Sequence, residues 1–205
     1  MMNVLVLNCG SSSIKYQLFD MPAGAVLAKG GITRIGETGE DSVPDHRAAV
    51  ARMLEELMDP ECGAIRSLDE IDACGHRVVH GGEACSGSRL IDDELVALIE
   101  SFSDLAPLHN PPNLTGIREM RRVLGDTPQV ACFDTAFHQT IPEYAYRYAL
   151  PEKLYREHRI RRYGFHGTSH RYVAERAQAL LGVARDEADL ITCHLGNGCS
   201  ITAVK

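Results

Sequence analysis

Five short stretches carry residue types that do chemistry when a fold holds them close together. The first is Asn8-Cys9-Gly10-Ser11-Ser12-Ser13-Ile14-Lys15. Small residues in a tight turn let successive backbone N–H groups converge on an anion, and Lys15 adds a point charge suited to phosphate. An ordinary Ser/Gly hairpin turn is the alternative; Asn8 and Lys15 turn the reading toward phosphate. The second, GHRVVHGG over 75–82, puts Arg77 at the end of an apolar run. A guanidinium pairs bidentately with a carboxylate or phosphate, and neighbouring glycines permit close approach. A surface arginine would look the same. The third, CFDTAFH over 132–138, places Asp134 at the C-terminal end of a strand, where open α/β sheets hold their ligands. A carboxylate there holds Mg²⁺, usually through water, or caps a turn. The fourth, YGFHGTSH over 163–170, sets His166 just ahead of a helix N-terminus, where backbone donors favour anions. His166 and His170 also have the i, i+4 spacing of a zinc pair, but no Glu follows His166 and no third ligand is evident. The fifth, His194-Leu195-Gly196-Asn197-Gly198, is a second glycine-rich turn suited to phosphate. A serine-nucleophile reading fails for want of a Gly-x-Ser-x-Gly elbow.

Strands and helices must bring these stretches to one place. Asn3 to Asp20 reads as a β-hairpin around the Gly-Ser turn, with a third strand over Ala25 to Ile35. Helical spacing follows over Ala48 to Met58, a buried strand over Ile71 to Val79, and a helix capped by Asp92 through Glu100. The run from Pro107 to Pro112 reads as rigid extended chain, after which Asn113 starts a helix that Gly125 closes. Gln129 to Phe133 is a short strand. Asp134 to Arg162 reads as irregular, Thr168 or Ser169 opens a long helix to Leu181, and Asp189 to Leu195 and Cys199 to Val204 read as strands. Strands alternating with helices predict an α/β fold with a mixed sheet: the first three strands antiparallel, the later ones parallel.

The 205 residues suffice for one large domain or two small ones, with 44% apolar residues and a net charge of −7. That charge argues against a nucleic-acid partner, and any anion site must be local. No apolar run is long enough to span a membrane, and nothing at the N-terminus resembles a signal peptide. Seven cysteines, an odd number with no C-x-x-C pair, predict reduced thiols in a cytoplasmic protein, with Cys74, Cys132 and Cys193 inside apolar runs as small hydrophobes.

Residues 5–14, LVLNCGSSSI, are echoed by residues 192–201, TCHLGNGCSI: apolar strand, polar residue, small-residue turn, then Ser-Ile opening a second strand. Two such loops predict two structural repeats. The second ends just after its own hairpin, so the sequence is expected to be the front part of a longer protein.

Together with PLHNPPN over 107–113, these stretches resemble acetate kinases, members of the acetate and sugar kinase, Hsc70 and actin superfamily, in the order NCGSSSIK, GHRVVHGG, PLHNPPN, FDTAFH, YGFHGTSH, HLGNG. The resemblance implies a ribonuclease-H-like (actin-like ATPase) fold with a mixed five-stranded sheet, a first domain over 1–150, and over 151–205 a connecting helix and the first hairpin of a second, nucleotide-binding domain. It implies a homodimer that reversibly transfers the γ-phosphoryl group of ATP to acetate, giving acetyl phosphate and ADP, with Mg²⁺ or Mn²⁺. By motif, Asn8 would contact the metal; Ser11, Ser13 and Lys15 would lie near the nucleotide phosphates; Arg77 would bind the acetate carboxylate or the acetyl phosphate; Asp134, His166 and Arg77 would be catalytic. His194, Leu195, Gly196, Asn197 and Gly198 would cradle ATP phosphates, and Val79, Leu108 and Phe165 would take the methyl group. The family continues beyond this length, so the chain by itself is expected to be inactive. A propionate or butyrate kinase, or a non-catalytic actin-like binding module, are the competing readings.

Overall fold

The computed structural model describes residues 2–205. The chain divides into two compact units, one of residues 1–80 with 88–132 and one of 81–87 with 133–205.

The first unit is built on a six-stranded sheet of order β3-β2-β1-β4-β6-β5. Its strands are β1 (Met2–Cys9), β2 (Ser13–Met21), β3 (Ala25–Thr33), β4 (Ala73–Val78), β5 (Arg89–Leu90) and β6 (Gln129–Phe133). The expected five strands gain a sixth, the two-residue β5, paired antiparallel to β6. β1 pairs antiparallel with β2 and parallel with β4, as the connection lengths require. Alternation decides the faces. Leu5, Leu7, Cys9, Ile14, Tyr16, Leu18 and Cys74 lie on one face, buried under helices α1 (His46–Leu57) and α3 (Asn110–Leu124) through Val50, Met53, Leu57 and Met120. Burying each such Leu is worth about 1.5–3 kcal/mol, and a one-residue slip would turn the whole set to the other face. The register therefore also fixes what the opposite face displays.

Asp45 caps α1 and Asp92 caps α2 (Asp93–Glu100), each accepting from the N–H three residues on. The stretch before α3 corrects the sequence reading. Asn110, Pro111 and Pro112 form the first turn of the helix, where proline's missing N–H costs nothing.

The second unit contains short helices α4 (Glu143–Tyr146) and α5 (Glu152–His158), then α6 (Gly167–Leu181) and the hairpin β7 (Leu190–Leu195) with β8 (Cys199–Val204). The predicted irregular stretch is thus partly helical. Arg161 organises it: its guanidinium lies 3.6 Å from the Tyr146 ring centroid and pairs with Glu83. Gly182, at φ 67°, closes α6. The echo noted in the sequence is structural to the extent that both stretches are antiparallel hairpins with tight turns. Cys193 corrects another expectation. It faces solvent, because β7 buries only Thr192 and turns Ile191, Cys193 and Leu195 outward. Among the described residues no helix is long and apolar enough to cross a membrane.

Candidate active-site clusters

In the first unit, polar residues gather where β1 and β4 end and β2 begins. Asn8 and Lys15 are cross-strand partners, and Arg77 follows His76, the β4 partner of Leu7. All three therefore project from the sheet face opposite the core, in a row across β2, β1 and β4. Arg77 Nη1 donates to Asn8 Oδ1 at 3.2 Å. The turn beside them is closed by Gly10 N–H donating to Ser13 O at 2.7 Å. His46, at the start of α1, meets Gly10 O through Nε2 at 2.8 Å. Ser11 and Lys15 are exposed and Ser13 is half-buried.

Two amides that the sequence reading gave no role hold this corner. Asn113 Nδ2 donates to Cys9 O at 2.6 Å, and its Oδ1 accepts from Val79 N–H at 3.1 Å. It ties the end of β1 to the end of β4. Asn110 does the same for His80, accepting from its N–H and donating to its carbonyl, each at 3.0 Å. The signal was present: asparagines flanking two prolines put both amides in the first turn of a helix. Val79 is buried at 7% exposure, whereas Leu108 is 74% exposed.

In the second unit Asp134 follows β6 and is 2% exposed. Its backbone carbonyl accepts from Gly167 N–H at 2.9 Å. A Cβ on Gly167 would stand 2.3 Å from that oxygen, so only glycine fits. His166, just before it, is left-handed at φ 55°, a conformation non-glycine residues rarely adopt. That ring stacks on His194 at 4.2 Å and 13° and meets Ser200 Oγ through Nδ1 at 2.9 Å. A Cβ on Gly198 would lie 3.1 Å from His166 Cε1, so the 195–198 turn passes directly beside the ring. His194 Nδ1 meets Ser169 Oγ at 3.0 Å. Leu195, Gly196, Asn197 and Gly198 are exposed. Phe165 is half-buried, and its carbonyl meets His138 Nε2 at 3.0 Å. Burial holds the His138 imidazole below its ordinary value.

Gly81 and Gly82 correct a further expectation. The close approach they permit is to protein: a Cβ on Gly81 would lie 2.6 Å from Cys85 Cβ and 2.7 Å from Phe133 Cδ1. Gly81 N–H donates to Thr135 Oγ1 at 3.1 Å, and Gln139 donates to Gly82 O at 3.0 Å.

The acetokinase family profile matches residues 3–205. The chain belongs to the acetokinase family. The acetate kinase of Azobacteroides pseudotrichonymphae genomovar. CFP2 is 53% identical over 219 aligned positions, covering 100% of this chain and 55% of that protein. The crystal structure of Porphyromonas gingivalis acetate kinase matches at a TM-score of 0.94 with 50% identity, covering 100% of this chain and 55% of that one. A propionate kinase from Francisella tularensis subsp. tularensis SCHU S4 matches at a TM-score of 0.90 with 41% identity and the same coverage. The chain thus spans about half the length of the relatives it matches, and its mixed α/β fold is the family's actin-like ATPase fold.

The family uses ATP, and its metal can be tested against the donors present. Mg²⁺ prefers carboxylate oxygens, phosphates and water. Asp134, a buried carboxylate at a strand end, fits that preference. Asn8 fits poorly as a direct ligand, because its Oδ1 already accepts from the Arg77 cation. Among the described residues no group of three His, Cys, Asp or Glu side chains forms a metal cage.

Proposed function

We propose that this chain supplies the carboxylate-binding and phosphate-binding machinery of an acetate kinase, transferring the γ-phosphoryl group of ATP to acetate to give acetyl phosphate and ADP. The observation that carries the proposal is the family match over residues 3–205, which takes in every residue of both clusters.

The chemistry suits these side chains. Acetate is ionised at neutral pH, since carboxyl groups titrate near ~4, so the nucleophile needs no general base. Phosphoryl transfer through a loose transition state needs positioning and charge neutralisation more than covalent help. Arg77, oriented by Asn8, holds the carboxylate, and Val79, Leu108 and Phe165 take the methyl group. Ser11, Ser13, Lys15 and the 194–198 turn hold phosphate oxygens, and His166 stabilises the group in transfer. Asp134 would hold Mg²⁺ through water, and the metal would neutralise phosphate charge when bound with the nucleotide. A cytoplasmic homodimer is part of the same proposal and rests on family membership alone.

A propionate kinase is the second reading, favoured by the Francisella match. A chimera in which residues 1–205 replace the matched part of Porphyromonas gingivalis acetate kinase decides between them. With ATP, Mg²⁺ and hydroxylamine to trap acyl phosphate, it should turn over acetate with a higher kcat/KM than propionate or butyrate. Preference for propionate would establish the second reading. A folded chimera that makes no acyl phosphate from any of the three would sink both.

A further inference from the structure

We infer that Ser200 and His170 are positioning residues that fix His166 as the Nδ1-protonated tautomer. The inference rests on the proposed place of His166 at the transferring phosphoryl group, and it follows from a chain of hydrogen bonds whose direction is set at one end. Thr192 and Thr202 are partners across the β7–β8 ladder, and the Thr192 hydroxyl donates to Thr202 O at 3.4 Å. A hydroxyl has one proton. A carbonyl only accepts, so the one assignment that satisfies both neighbours has Thr192 Oγ1 accepting from His170 Nδ1, 2.8 Å away, with the His170 proton on Nδ1. His170 is 1% exposed. Burial, and then the neighbouring His138, His166 and His194, hold its imidazole below the ordinary value, which favours the neutral ring; with the proton on Nδ1, its Nε2 is the acceptor.

Ser200 Oγ lies 2.7 Å from that acceptor nitrogen and must donate to it. With its one proton committed, Ser200 can only accept from His166 Nδ1, at 2.9 Å. The His166 edge is thus held by Ser200 and its face by His194, which stacks at 4.2 Å. The remaining nitrogen, Nε2, faces the glycine turn, where a Cβ on Gly198 would stand 3.3 Å from it. A neutral His166 offers Nε2 only as an acceptor. It donates to a phosphoryl oxygen from Nε2 only as the imidazolium, carrying a full positive charge. With the chain reversed, a neutral His166 would be the donor.

The tautomer can be read directly. Long-range ¹H–¹⁵N correlation of the histidine rings in the ¹⁵N-labelled 205-residue chain, recorded about two pH units above the ordinary imidazole value of ~6.5, should show His166 and His170 protonated on Nδ1. Ser200→Ala should move His166 to a mixture of tautomers, and Ser200→Thr should restore the wild-type pattern. In the chimera, Ser200→Ala should lower kcat on the order of tenfold or more, as a misassigned tautomer does, with KM for acetate unchanged. An Nε2-protonated His166 in the wild type, or an unaltered Nδ1-protonated one in Ser200→Ala, overturns the inference. If Ser200→Ala does not fold, the wild-type and Ser200→Thr spectra decide it alone. A protein that keeps this tautomer while its chimera makes no acyl phosphate overturns the phosphoryl-transfer reading instead.

Discussion

Gly167 shows how closely the second cluster is fitted. Its N–H reaches the carbonyl of Asp134, and that approach leaves no room for a side chain. Gly167→Ala must push a Cβ against backbone rather than against a movable side-chain tip. It should cost about 1 to 3 kcal/mol of stability and displace both Asp134 and His166. Gly75→Ala is the control: its Cβ would meet Val6 Cγ2 at an ordinary 3.8 Å. Denaturant midpoints of the two variants check this. Equal midpoints would show that the Asp134–Gly167 contact is not tight. At this scale the sequence told which residues could do chemistry but not which contacts hold them. His166 could be placed before a helix; its left-handed backbone and its stacking on His194 depend on residues far along the chain. Gly81 and Gly82 were read as room for a ligand, and it is Cys85 and Phe133 that fill the space beside Gly81.

At the scale of elements, the first turn of α3 serves as a clamp. Asn113 joins the ends of β1 and β4 through Cys9 O and Val79 N–H, and it is 4% exposed. Asn113→Ala would leave both backbone groups buried without this partner, at about 1 to 3 kcal/mol for each orphaned group. A loss under about 0.5 kcal/mol, the usual size for a surface change, would show that water or a shift of backbone replaces the amide. The elements themselves were largely legible. An apolar run gave β1 and alternation gave β2, helical spacing gave α1, a hydroxyl residue at the start and Gly182 at the end gave α6, and Asp92 gave the start of α2. Three features were not. Prolines read as extended chain when they sit in a first helical turn, because local rules allow both. The segment 134–162 takes its order from Arg161, whose partners Glu83 and Tyr146 are distant in sequence. The apolar run of β7 reads as buried, yet only alternate residues are covered by their own unit.

At the scale of the molecule, the core contains a titratable group that shapes stability against pH. His76 is 3% exposed within the first unit, with Nε2 at 2.8 Å from Gln129 Oε1. Burial pushes its imidazole down to about 4. Between about 6.5, the ordinary value, and about 4 the unfolded chain binds a proton that the folded chain does not. Stability must therefore fall as pH falls through that window and level off below it, by up to ~3 kcal/mol. Urea titrations at several pH values should show this slope in the wild type and a shallower one in His76→Gln. Equal slopes would mean that His76 takes up its proton in the folded state as easily as in the unfolded one. The same scale holds what the sequence conveyed best: six motifs in a fixed order pointed to the family that the match over 3–205 establishes.

In the proposed reaction Arg77, set beside Asn8 on the sheet face opposite the core, captures the carboxylate. Steady-state kcat/KM for acetate, measured in the chimera with and without Arg77→Ala, tests it most directly. Loss of one charge-assisted bidentate contact should cost about 2 to 5 kcal/mol in kcat/KM, and Arg77→Lys should recover only part of it, because an ammonium cannot match the fork geometry. An Arg77→Ala chimera with unchanged kcat/KM for acetate would remove Arg77 from the site.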